Sequence, residues 1–191
     1  MLLKRVFVVC AFLMHAGFLA ALDLDLPDNL DVTNWDHVLQ HMVEEGLNAN
    51  EITAVDLSGR GLREIPDWVF TKTRHIIALD LAKNEITSIP GAVGSLERLE
   101  ILNLFDNRIN EVNDNIRHAT RLKEIRMSKN ELRAIPAAFY SLTDLEYLSL
   151  SNNRIASVAP QIANLHKLRV LRLANNPLRR VAPEAARFLD R

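Results

Sequence analysis

Residues 99–109 read Leu-Glu-Ile-Leu-Asn-Leu-Phe-Asp-Asn-Arg-Ile, in which Leu99, Leu102 and Leu104 precede Asn107. The same pattern occurs six times between residues 52 and 191, at steps of one 24-residue and four 23-residue intervals. The asparagine position is held in turn by Arg60, Asn84, Asn107, Asn130, Asn153 and Asn176. A strict period of this length predicts a solenoid, in which each repeat buries its apolar side against its neighbours.

Each repeat divides into a strand and a return segment. The leucines alternate with variable residues, which is the period of a strand with one buried face. The asparagine follows where the strand bends away, and its amide can pair backbone groups that the bend leaves open. We therefore predict a structural asparagine ladder, formed by Asn84, Asn107, Asn130, Asn153 and Asn176.

Residues 145–155, Leu-Glu-Tyr-Leu-Ser-Leu-Ser-Asn-Asn-Arg-Ile, resemble the leucine-rich repeat family, and the resemblance extends over residues 52–191. The 23-residue period with Ile-Pro on the outer side, as at Ile89-Pro90, is similar to the Ras-group subclass, which includes Ras-suppressor and Shoc-type scaffold proteins. The resemblance implies an α/β solenoid: a right-handed superhelix with parallel strands on a concave face that binds proteins.

The amino terminus resembles a secretory leader. Lys4 and Arg5 precede an apolar run over residues 6–22, and we predict a signal peptide over residues 1–21. The alternative is an uncleaved membrane anchor formed by residues 6–22. Cys10 is the single cysteine of the chain, so the cysteine-rich caps of secreted animal family members are absent. We therefore expect a secreted protein, directed at a host or a cell surface if its source is a microbe or parasite.

The segment 22–50 precedes six repeats over residues 51–191. From residue 23 to 56 there are nine acidic residues and no Lys or Arg, whereas 21 basic and 15 acidic residues follow from Arg60 onward. Within the acidic segment, Thr33 and Asp36 resemble a capping box, and Gly46 can end the helix. Its apolar stripe predicts a helix that caps the first repeat, through Trp35, Val38, Leu39, Met42 and Val43. Near the other end, residues 183–189 predict a second short helix.

The variable strand residues form the predicted binding surface, because they point away from the core. Aligned repeat by repeat, they change from acidic (Asp56, Asp80) to basic (Arg126, Arg172) along the chain. Aromatic and Arg residues are frequent anchors of protein interfaces. The predicted contact residues are Ile101, Asn103, Phe105, Glu124, Arg126, Tyr147, Val170 and Arg172. The alternative is that the apolar members pack sideways along the sheet.

Other chemistry has little support in the sequence. His37 and His41 have a spacing that could grip a metal, but they lie opposite the apolar stripe, and we expect no metal and no cofactor. We find no nucleophile motif or phosphate-binding glycine loop, and we expect no enzymatic activity. Basic residues are interspersed with acids, which argues against nucleic acid.

The expected partner is thus a protein bound by a monomer. Three alternatives remain open: a membrane-tethered or intracellular Ras-group scaffold, binding of an acidic glycan by the carboxy-terminal arginines, and dimerisation through the carboxy-terminal end.

Overall fold

A computed structural model of the chain describes residues 23–24, 26–48, 50, 52–185 and 188. The predicted leader and the alternative anchor lie outside these residues. The main element is a seven-stranded parallel sheet with the spatial order β1-β2-β3-β5-β7-β8-β10. Its strands are β1 (Asp23–Leu24), β2 (Ala54–Asp56), β3 (Ala78–Asp80), β5 (Ile101–Asn103), β7 (Glu124–Arg126), β8 (Tyr147–Ser149) and β10 (Val170–Arg172).

The return segments carry shorter elements. Two small sheets pair β4 (Ser88–Ile89) with β6 (Glu111–Val112) and β9 (Ser157–Val158) with β11 (Arg180–Val181). One short α-helix, α2, spans Trp68–Thr71, and five 3₁₀ helices are described in the later repeats. The 3₁₀ helices span Gly91–Ser95, Asp114–His118, Ala137–Ser141, Pro160–Asn164 and Pro183–Ala185. The apolar core lies between these return segments and the main sheet.

Strand pairing confirms the predicted alignment of the repeats. Ala78 pairs with Ile101, Ile101 with Glu124, Glu124 with Tyr147, and Tyr147 with Val170. The residue that follows each of these is apolar and buried, as Leu102 and Leu148 are. Because side chains alternate along a strand, the first and third strand residues point to the opposite side. We call that side the strand face.

The five asparagines of the predicted ladder bond backbone groups of two successive repeats. Asn107 donates from Nδ2 to the carbonyl oxygens of Leu81 (2.9 Å) and Leu104 (3.3 Å), and its Oδ1 accepts from the Ile86 amide at 3.0 Å. The equivalent amides of Asn84, Asn130, Asn153 and Asn176 make the corresponding bonds. Each asparagine thus connects its own repeat with the preceding one.

The residue before each ladder position has a left-handed backbone. Lys83, Asp106, Lys129, Asn152 and Asn175 have φ between 57° and 60°. In the first repeat this position is Gly59, with φ of 68°. There Arg60 replaces the asparagine, and its guanidinium donates to the carbonyl oxygens of Leu26 and Pro27. The first repeat therefore holds the amino-terminal segment with an arginine instead of forming the ladder.

The amino-terminal helix α1 spans Trp35–Glu44 and differs from the prediction at two points. Its cap is Asn34, whose Oδ1 accepts from the Asp36 amide at 2.9 Å. Thr33 instead bonds Asp31, because both its amide and its hydroxyl reach that carboxylate. Leu39 is 39% exposed, so it does not belong to the buried stripe, whereas Val38 and Met42 join the core.

The end of helix α1 agrees with the prediction, whereas the elements near the two ends of the described chain differ from it. Gly46 has φ of 69°, and the Leu47 amide donates to the Met42 carbonyl at 2.8 Å, which ends α1 as predicted. The strand β1 was not predicted, because two residues carry no detectable period. Near the carboxy terminus, where a helix over residues 183–189 is predicted, the structure describes a 3₁₀ helix at Pro183–Ala185 and a buried Phe188. The rest of that range lies outside the described residues.

Candidate protein-binding face

The strand face contains an open cavity of about 910 Å³ above β5, β7, β8 and β10. All eight predicted contact residues line this cavity. The sequence prediction missed the residue immediately before each of these strands. Those residues are Glu100, Lys123, Glu146 and Arg169, and they also line the cavity. The sequence contains a pattern that could have identified them, because they lie 23 residues apart and alternate in charge.

The predicted contact residues differ in how much surface they present. Ile101 is only 2% exposed and Asn103 only 8%, so neither offers the accessible surface that was predicted. Side chains on neighbouring parallel strands stand about 4.8 Å apart and shield one another. By contrast, Phe105, Tyr147 and Val170 are half-buried. The available apolar surface is therefore mostly that of the two aromatic rings and one valine.

Cations lie over both aromatic rings. The guanidinium carbons of Arg126 and Arg172 are 5.9 Å and 5.6 Å from the centroid of the Tyr147 ring. The Nζ of Lys129 is 4.9 Å from the centroid of the Phe105 ring. Such contacts contribute about 0.5–1 kcal/mol each at exposed sites. They restrict the rotation of the two rings and of the three cationic side chains.

The charges of the cavity are only partly paired. Arg126 is bonded to Glu124, Lys123 lies 2.7 Å from Glu100, and Arg169 lies 3.6 Å from Glu146. Arg172 is exposed and forms no ion pair with another described residue. The cavity thus carries one arginine whose charge is available to a partner.

The strand face is acidic at its other end. Asp56 and Asp80 are directly paired in register on β2 and β3. Burial raises the pKa of the Asp80 carboxyl above its ordinary value, and the nearby Asp56 carboxylate raises it further. The hydrogen bonds from the Ala82 amide (2.8 Å) and from Asn103 Nδ2 (2.9 Å) oppose this shift, as does the charge of Arg126. Ionisation of Asp80 is therefore less favourable in the folded protein than in water.

Other candidate sites receive no support from side-chain placement. His37 Nδ1 lies 3.6 Å from Asp31 Oδ2, and both side chains are about half exposed. In the described part of the chain, no group of three or more His, Cys, Asp or Glu side chains is placed to hold a metal ion. The described helices include none of sufficient length and apolar character to cross a membrane.

Comparison with known proteins identifies the family. The model of the leucine-rich repeat region matches residues 57–185. The chain belongs to the leucine-rich repeat family. Among solved structures, this leucine-rich repeat chain is similar to a leucine-rich repeat protein of Leptospira interrogans, with a TM-score of 0.69 and 24% identity over 73% of this chain and 35% of that one. It is also similar to an internalin of Listeria monocytogenes, with a TM-score of 0.62 and 18% identity over 83% of this chain and 48% of that one.

Curated relatives match only parts of the leucine-rich repeat chain. Ras suppressor protein 1 of Bos taurus is 37% identical over 70 residues, which are 36% of this chain and 24% of the relative. A probably inactive leucine-rich repeat receptor-like protein kinase of Arabidopsis thaliana is 46% identical over 59 residues, or 31% of this chain and 7% of the relative. The matched segments are thus a quarter or less of these relatives.

Proposed function

We propose that this chain is a non-enzymatic binding protein that holds another protein on its strand face. The observation that best supports this proposal is the Tyr147 ring, which lies at the cavity of about 910 Å³ with the Arg126 and Arg172 guanidiniums over it. Aromatic and Arg side chains are the residues that most often dominate binding energy at protein interfaces. The repeat architecture supports the same conclusion, since it provides an extended rigid surface.

The fold itself does not account for these side chains. Tyr147 is in register with Glu124 and Val170, and Ser128 and Ser151 hold the repeat position of Phe105 in the next two repeats, 23 and 46 residues later. Glutamate and valine thus satisfy the strand position of Tyr147, and serine satisfies that of Phe105, so neither position requires an aromatic ring. Apolar rings at these two positions expose surface to water, which is unfavourable unless a partner covers it.

A photo-crosslinking experiment tests this proposal. A photoreactive side chain in place of Ser151, on the strand face, should capture a protein from the native environment of the chain. The same group in place of Ser141, in the 3₁₀ helix Ala137–Ser141, is the matched control. Equal capture at both positions, or capture at Ser141 alone, would place the interface elsewhere.

We further propose that the protein is secreted and that residues 1–21 are removed. The support is the basic start and the apolar run of the sequence. The intact mass of the native protein should correspond to a chain that begins at Leu22 and is found outside the cell or in a lumen. A mass that includes Met1, in a membrane fraction, would instead support the anchored alternative.

The second candidate function is a membrane-tethered or intracellular signalling scaffold of the Ras-group type. One observation favours it, namely the 37% identity to Ras suppressor protein 1 over 70 residues. It uses the same strand face and differs in compartment, so the mass and location measurement also separates these two candidates.

A further inference from the structure

The acidic charge at one end of the strand face is not required by the fold. Asp56 Oδ1 accepts from the Ser58 amide at 2.8 Å, and Asp80 Oδ1 accepts from the Ala82 amide at 2.8 Å. The neutral Asn103 makes the same bond in the next repeat, to the Phe105 amide at 3.2 Å. An amide oxygen therefore serves this local turn as a carboxylate does, and the two negative charges need another explanation.

These two carboxylates are also only partly compensated, by hydrogen bonds and, for Asp80, by the charge of Arg126. They are register neighbours on adjacent strands, where like charges repel each other. Neither forms an ion pair with a Lys or Arg among the described residues, although the charge of Arg126 lowers the pKa of Asp80. A basic group placed over both carboxylates would remove the repulsion and part of the desolvation cost.

The opposite end of the strand face carries a positive charge that the fold does not require either. Arg172 is exposed, is unpaired with any described carboxylate, and is in register with Ser149 on the neighbouring strand. Because a serine occupies the equivalent position, the strand does not require an arginine there. The arginine is held over the Tyr147 ring and remains available to an acidic group.

We propose that the strand face binds a bipolar protein segment, with a basic group over Asp56 and Asp80 and an acidic group at Arg172. The proposal rests on the proposed function and specifies the chemistry of the partner. The segment lies across the strands, with apolar side chains against Phe105 and Tyr147 between its two charged ends. The opposite charges at the two ends of the face determine its direction.

The spacing of the charges limits the partner. From β3 to β10 there are four strand intervals of about 4.8 Å, which separate Asp80 from Arg172 by about 19 Å. An extended segment covers this distance with about six residues and a helix with about 13, at about 3.3 Å and 1.5 Å per residue. A polyanion such as an acidic glycan fits only one end, because Asp56 and Asp80 repel it. Charge complementarity therefore favours a protein segment of mixed charge.

A peptide-display selection tests the charge order. A library of random 16-residue peptides is selected on the full-length protein, and the enriched peptides are then synthesised and titrated. Each enriched peptide should carry a basic residue, Lys or Arg, on one side of an apolar centre and an acidic residue, Asp or Glu, on the other. The two charged residues should be about six positions apart in an extended peptide and about 13 apart in a helix. A permuted peptide of the same composition, with its charges alternating, should bind at least tenfold more weakly.

Conservative variants assign the two charges to their positions. The double variant Asp56→Asn/Asp80→Asn retains the turn acceptors, and Arg172→Ser copies the residue found in the preceding repeat. Each should weaken the selected peptides at least tenfold. The matched controls are Asp114→Asn and Arg117→Ser in the 3₁₀ helix Asp114–His118, which change charge away from the strand face and should leave affinity unchanged.

The outcomes separate this inference from the proposed function. Peptides of a single charge sign, equal binding of the permuted peptide, or no enrichment would overturn the bipolar proposal. If such peptides nevertheless lose affinity with Tyr147→Ala, the strand face remains the binding site and only the charge order is wrong. If the selected peptides are insensitive to Tyr147→Ala, the proposed function fails as well.

Discussion

At the scale of single residues, the ladder asparagines explain why the repeat tolerates so little change at one position. Asn107 is 8% exposed and satisfies two carbonyl oxygens and one amide with a single side chain. No other neutral side chain offers two donors and one acceptor in this geometry. The sequence indicates this role, because five asparagines recur in register.

Replacing Asn107 by Ala should therefore destabilise the fold by about 3 kcal/mol, since buried polar groups lose their partners at a cost of about 1–3 kcal/mol each. The matched control is Asn176→Ala, which removes the corresponding bonds at a more exposed position where water can replace them. We expect about 1 kcal/mol there. Chemical denaturation measures both values, and equal losses would contradict the account.

Asp80 provides a second residue-scale prediction. Its folded pKa lies above its ordinary value of 3.8, chiefly because of burial, so its ionised form opposes folding at neutral pH. This penalty is present above the folded pKa and declines as pH falls through the folded pKa toward the unfolded value. Asp80→Asn removes this penalty but also the acceptor of the Asn103 amide, so the stability of the variant relative to the wild type should be higher at pH 7 than at pH 4.

Denaturation of the wild type and the Asp80→Asn variant at both pH values checks this prediction. A variant whose stability relative to the wild type is lower at pH 7 than at pH 4 would show that the ionised carboxylate serves the fold. In that case the charge of Asp80 would stabilise the fold and would not be reserved for a partner.

At the scale of elements, short strands with a two-residue alternation were predictable and short elements without a period were not. The three-residue strands of the main sheet fall where the leucine pattern places them. By contrast, β1 and the small outer sheets have two residues per strand, which is too short for alternation to be visible. Their pairing depends on the stacking of the repeats, which is a tertiary effect.

Helix α1 shows how local competition alters a cap. Thr33 and Asn34 are adjacent candidates, and both residue types are good caps. The carboxylate of Asp31 engages the Thr33 hydroxyl at 2.6 Å, so Asn34 takes the cap position. A sequence pattern cannot rank two adjacent caps when a third residue decides between them.

The sequence indicates which residues lie on the strand face, but it does not indicate how exposed each side chain is. The repeat alignment identified the eight predicted contact residues, and all of them line one cavity. Burial of Ile101 and Asn103 depends on neighbours from other strands, which the alignment does not weigh. The charged residues just before the strands were not predicted, because they directly precede the alternating strand positions and break the two-residue period.

At the scale of the whole molecule, the charge asymmetry of the sequence has a counterpart on one surface. The segment from residue 23 to 56 contains nine acidic residues and no Lys or Arg, and the strand face changes from Asp56 and Asp80 to Arg172. A surface with opposite charges at its two ends orients a partner during encounter and penalises the reverse alignment. The repeats supply the rigid spacing, and a few residues supply the recognition.

The most direct test of the central claim is the affinity of the partner captured by crosslinking at Ser151. Phe105→Ala/Tyr147→Ala should weaken this affinity at least a hundredfold, or about 2.8 kcal/mol, because both aromatic anchors are lost. Tyr140→Ala is the matched control, since it removes a half-buried tyrosine from the 3₁₀ helix Ala137–Ser141. Unchanged affinity in the double variant, with the fold intact, would show that the strand face is not the binding site.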